Sequence, residues 1–170
     1  MRSATDLLRD EHQLILRALL ILESAAERLG TGGALPEGLW TGTIGWLRAF
    51  ADRNHHAKEE NALFPAMLEA GVPAEGGPIA VMLDEHAEGR ALLATMRAGE
   101  PVDRAAAAHR YIRLLRDHID KENGLLFPLA DAVLDERGQA ELRREFADLE
   151  AQLGETACLD LARDALARLD

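Results

Sequence analysis

Apolar residues recur at three- and four-residue steps along nearly the whole chain, and no stretch of strand length alternates apolar with polar residues. A chain patterned this way buries its apolar stripes by packing helix on helix. The stripes divide into four long segments, Thr5 to Leu29, Pro36 to Ala70, Ile79 to Ala98 and Val102 to Leu134, separated by "GTGGALPEG", "GVPAEGGP" and "GEPVD". Ser3 or Thr5 is placed to cap the first, and Pro65 and Pro128 are expected to kink the second and fourth. Long helices joined by short loops pack antiparallel. The expected fold is therefore all-α: an up-down-up-down four-helix bundle over about 5–135. Two shorter amphipathic stretches, Gln139 to Leu153 and Thr156 to Leu169, form a helical tail over about 137–170. No linker divides the 170 residues, so a single domain is expected over 1–170.

Within this pattern one phrase is written twice. "HHAKEENALFP" ends at Pro65 and "HIDKENGLLFP" at Pro128. Aligning the prolines pairs His55 with His118, Lys58 with Lys121, Glu59 with Glu122, Leu63 with Leu126 and Phe64 with Phe127. "RDEHQ" in the first segment likewise matches "LDEHA" in the third, around His12 and His86. Each half of the chain thus carries Asp-Glu-His on one helix and His-x-x-x-Glu on the next. At α-helical spacing His55 follows Ala51 and Leu47, whereas His56 follows Asp52 and Arg48. His55 and Glu59 are therefore expected on the buried stripe. His56 and Glu60 are expected on its charged flank, where alanine in either place leaves metal loading intact.

Six ionisable groups on apolar stripes are costly to bury unpaired. A shared metal centre held by His12, His55, Glu59, His86, His118 and Glu122 resolves that cost. Nitrogen and oxygen donors without sulfur suit iron or manganese better than structural zinc. Cys158, the sole cysteine, excludes a disulfide framework or a cysteine-rich metal site. The order His-x-x-x-Glu also differs from the Glu-x-x-His of ferritin-like carboxylate proteins. With 19 basic and 30 acidic residues the formal charge is −11, which argues against nucleic acid or an anionic membrane as partner. The start "MRSATDLLRDEH" has no apolar core of a signal peptide, so a cytoplasmic location is expected.

His12, "HHAKEENALFP", "LDEHAEGR" and "HIDKENGLLFP" together resemble the hemerythrin-like (HHE cation-binding) family over roughly residues 5–135. The resemblance implies two non-haem iron ions joined by an oxo or hydroxo bridge, with manganese or zinc as substitutes. His12 and His55 would hold one iron, His86 and His118 the other, and Glu59 and Glu122 would bridge them. It implies a small ligand, oxygen, nitric oxide or peroxide, and a peroxide- or oxygen-dependent redox activity as the enzymatic version. The alternatives are sensing of iron or oxygen through a protein partner or homodimer, and repair of iron–sulfur clusters. Oxygen-carrying hemerythrins place a further histidine where this chain has Arg90, and an aspartate where it has Asn123. The four-His, two-Glu set is closer to the relatives implicated in cluster repair. Tyr111 is read mainly as a core residue, His109 as a surface one, and Trp40 and Trp46 as bundle packing.

Overall fold

The computed structural model describes residues 2–153 and 159–168. Helix α1 runs Ala4–Gly30 and opens on a capping box. Ser3 Oγ accepts the Asp6 N–H at 3.1 Å, and the Asp6 carboxylate accepts the Ser3 N–H at 3.0 Å. Helix α2 occupies 39–69, α3 Pro78–Ala98, α4 101–133, α5 Glu136–Leu153 and α6 Leu159–Ala167. Helix α4 packs against α1 and α3, and α2 closes the bundle against α1. The all-α bundle with additional C-terminal helices is as expected. Helix α2 starts later than the expected Pro36 because Gly38 takes the left-handed region at φ 78° and turns the chain first. Among the described residues no helix is long and apolar enough to cross a membrane. Cys158, Thr156 and Leu169 lie outside the described residues.

The expected proline kinks take a particular form. Helix α2 is α-helical over Leu39–Trp46, π-helical over Leu47–His56 and again over Glu59–Leu63, then α-helical over Phe64–Glu69. Helix α4 is α-helical over Pro101–Lys121, π-helical over Glu122–Leu126 and α-helical over Phe127–Val133. In both copies the phenylalanine before the proline donates its N–H to the glutamate carbonyl five residues back, Phe64 to Glu59 and Phe127 to Glu122. A proline in a continuous α-helix has no N–H to give and pushes its ring at the carbonyl four residues earlier. A wider turn just ahead of it relieves that clash.

The core is split in two. One apolar cluster holds Ile15, Leu19, Leu22, Phe50, Met96 and Tyr111 among others, with Leu166 of α6 packed into it. The second holds Leu8, Leu63, Met67, Met82 and Phe127, with Leu142 and Phe146 of α5. Along each of the four bundle helices the chain passes from one cluster to the other through buried histidines and glutamates. His12 stands between Leu8 and Ile15, His55 and Glu59 between Phe50 and Leu63, and His118 and Glu122 between Leu115 and Leu126. That polar layer is the candidate site.

Candidate metal centre

His12, His55, His86, His118, Glu59 and Glu122 all lie in the layer, none more than 2% exposed. Their donor atoms face one another across the bundle. His12 Nε2 and His55 Nε2 are 3.0 Å apart, and His86 Nε2 and His118 Nε2 are 3.1 Å apart. The two carboxylates span the pairs. Glu122 turns Oε2 to His12 and Oε1 to His118, each at 3.1 Å. Glu59 turns Oε1 toward His55 at 3.7 Å and Oε2 toward His86 at 3.4 Å.

The outer nitrogens explain why only one face of each ring points inward. His55 Nδ1 meets Glu11 at 2.8 Å, His118 Nδ1 meets Glu85 at 2.7 Å, His86 Nδ1 meets Glu60 at 2.7 Å and His12 Nδ1 meets Asn123 at 3.0 Å. A neutral ring that donates from Nδ1 presents a lone pair at Nε2. With all four rings neutral, four lone pairs aim into the layer. Apart from the histidine nitrogens that face them, the carboxylate oxygens of Glu59 and Glu122 meet no hydrogen-bond partner among the described residues, and neither does either nitrogen of His56. Buried groups of this kind are expensive unless something binds them. Among the described residues, two sets of donors are close enough to hold a metal ion: His12, His55, Glu59 and Glu122, and His56, Glu59, His86 and His118.

This geometry accounts for the duplicated phrase residue by residue. The glutamate of each Asp-Glu-His triplet, Glu11 or Glu85, accepts from the histidine of the following phrase and from its lysine, Lys58 or Lys121. The residue after Glu59 or Glu122, namely Glu60 or Asn123, accepts from the triplet histidine of the other half. The phenylalanine of each "LFP" stacks on that same ring: Phe64 on His86 at 5.9 Å and Phe127 on His12 at 5.3 Å between centroids. The repeat in the sequence held Glu11, Glu85, Lys58 and Lys121 in plain view. Glu60 and Asn123 escaped because they share a role as acceptor but not a residue type.

His56 corrects the sequence reading. It is 3% exposed, and its ring stacks on His86 at 3.9 Å. The assumption that failed is the turn. Within the π-helical stretch one turn back is five residues, so His56 stands over Ala51 and His55 over Phe50, both fully buried. Both histidines therefore reach the layer. Glu60 is half-buried behind His86 rather than on an outer flank. Arg90, in the position of the missing fifth histidine, forks instead between Asp52 Oδ1 at 2.6 Å and Glu60 Oε1 at 2.7 Å. Those carboxylates are the ones nearest His56 and His86. Tyr111 is a core residue, with a buried hydroxyl and no partner, and His109 lies half-buried outside the layer.

The electrostatics divide the groups. Burial pushes Glu59 up to about 7, helped by the charge of Glu122. Burial also opposes ionisation of Glu122, but His118 and His12 outweigh it and hold that carboxyl well below its ordinary range. His55 and His56 are driven far down by burial and by neighbouring rings, and so stay neutral. Burial opposes charge on His86 too, yet the nearby Glu59 and Glu60 carboxylates raise it to about 9.

The family model described as the hemerythrin HHE cation binding domain matches residues 3–130. The chain is 33% identical over 137 residues to the iron-sulfur cluster repair protein YtfE of Musicola paradisiaca (strain Ech703), a match spanning 71% of this chain and 60% of that protein. No solved structure matches. A helical bundle crossed by a buried His/Glu layer, with a family match over most of its length, places this chain in the hemerythrin HHE cation-binding domain family.

Proposed function

We propose that the protein is a non-haem di-iron protein that binds or reacts with a small ligand, oxygen, nitric oxide or peroxide, in the cytoplasm. The observation that carries this reading is the two-sided carboxylates. Each offers one oxygen to either histidine pair, the arrangement needed to bridge two cations. His12 and His55 would hold one ion and His86, His118 and His56 the other, with Glu59 and Glu122 between them. Nitrogen and oxygen donors without sulfur favour iron, and manganese or zinc can substitute. When bound, the two ions supply redox chemistry and open coordination positions for the ligand.

The protein's own residues do the rest. Glu11, Glu85, Glu60 and Asn123 hold the rings in one tautomer, and Phe64 and Phe127 cover the two triplet histidines and keep water off them. Three histidines on one side and two on the other leave the His12–His55 side with fewer protein donors, so the small ligand is assigned there. A role in iron–sulfur cluster repair is the second reading, supported by the likeness to a repair protein. Anaerobic loading with ferrous iron, metal analysis, and spectra after separate additions of oxygen, peroxide and nitric oxide test the proposal. Two irons per chain and ligand-dependent absorption bands are expected. Absorption that responds to none of the three additions would remove the ligand-binding reading.

A further inference from the structure

A second feature lies where α2 meets parts of α3 and α4, and it shares no residue with the metal layer. A cavity of about 340 Å³ is lined by Arg48 and Arg53 of α2, Arg97 of α3 and Arg104 of α4, with Trp40 and Ile44 beside them. Among the described residues no acidic one lines it. This is unexpected in a chain with 30 acidic residues and 19 basic ones. Elsewhere Arg9, Arg90, Arg110, Arg116 and Arg137 each stand against a carboxylate. Among the described residues, Arg48, Arg53 and Arg97 have no hydrogen-bond or ion-pair partner. Arg104 gives its Nε to the Gly99 carbonyl at 2.5 Å and keeps the rest of its guanidinium.

The backbone builds this convergence. Residues five apart diverge by about 140° around an α-helix, but the π-helical stretch Leu47–His56 brings Arg48 and Arg53 onto one face. The Trp40 indole is fixed by donating Nε1 to the Met96 carbonyl at 3.0 Å. Gly45 also lines the cavity, and a Cβ there would meet nothing within 4 Å. A mid-helix glycine costs stability, and here it leaves the pocket open. Four like charges gathered without counter-charge repel one another until an anion enters. Guanidinium forks match phosphate oxygens two at a time.

We propose that this pocket binds a small polyphosphate anion, with Trp40 and Ile44 against any organic part it carries. The proposal does not depend on the metal reading, since none of these side chains belongs to either donor set. Isothermal titration of the full chain, metal-loaded and metal-free, with inorganic phosphate, pyrophosphate and adenosine triphosphate tests it, with iron content measured before and after to separate chelation. Saturable one-to-one binding of pyrophosphate is expected in both forms. It should weaken at least tenfold in Arg48→Gln/Arg97→Gln and in Gly45→Leu, whose thermal midpoint should stay at or above that of the parent. Arg110→Gln, elsewhere on the surface, should bind like the parent. Tighter binding of adenosine triphosphate than of pyrophosphate would assign a phosphate ester, and equal affinity the inorganic anion; both support the site. Undiminished binding in the two pocket variants, no saturable binding, or phosphate binding as tightly as pyrophosphate would overturn it.

Discussion

On the proposed reading, metal binding displaces protons from His86 and Glu59. With His86 raised to about 9 and Glu59 to about 7, the metal-free layer holds a proton on the first and shares one on the second at neutral pH. A coordinating histidine must offer a lone pair and a bridging glutamate must be ionised. Loading should therefore release more than one proton per chain at pH 7, and progressively less as the pH rises through about 9. Indicator titration in weak buffer measures this directly; release that does not change between those limits would contradict the assignment. His56 gives a second test at this scale. His56→Ala should cost one of the two ions or weaken it at least tenfold, about 1.4 kcal/mol, whereas α-helical spacing alone predicts no effect. The four triplet and phrase histidines and both glutamates were legible because the pattern occurs twice. His56 was not, because its symmetry mate is Ile119 and its inward turn depends on π-helical geometry invisible to a period of 3.6.

At the scale of the helices, the two halves follow one plan but are covered differently. Helix α5 brings Glu150 to Lys58 at 2.5 Å, leaving the Lys58 side chain 1% exposed between Glu150 and Glu11. Lys121, its counterpart, meets Glu85 alone among the described residues and is 40% exposed. Removing Lys58 leaves the buried Glu11 carboxylate with only its hydrogen bonds to His55 and Asn54 and without its cation, and burial already raises its pKa. Lys58→Ala should cost about 3–5 kcal/mol in the range for breaking a buried pair. Lys121→Ala should cost about 1 kcal/mol or less. Urea denaturation of the metal-free variants compares them, and equal losses would mean that α5 does not shield the first half. The repeat announced both lysines as equivalent. Their unequal burial comes from a tail helix that has no partner in the duplicated plan, so no internal comparison could reveal it.

Across the whole molecule, two apolar clusters are held apart by a layer of buried histidines and glutamates whose inward-facing donors are poorly satisfied by the protein alone. A ligand bound only by the folded chain stabilises it by about 4 kcal/mol at a thousandfold excess over its dissociation constant. Metal removal by a chelator should accordingly lower the thermal midpoint by several degrees, and re-addition of ferrous iron should restore it. Identical midpoints with and without metal would separate the layer from folding. The bundle itself was readable from apolar periodicity, since amphipathic stripes of this length have few other ways to pack. On the proposed reading this layer holds two cations bridged by Glu59 and Glu122. Anomalous diffraction at the iron edge from crystals of the loaded protein tests it most directly. Two peaks about 3.5–4 Å apart are predicted, one beside His12 and His55, the other beside His56, His86 and His118. A single peak, or peaks outside the layer, would contradict it.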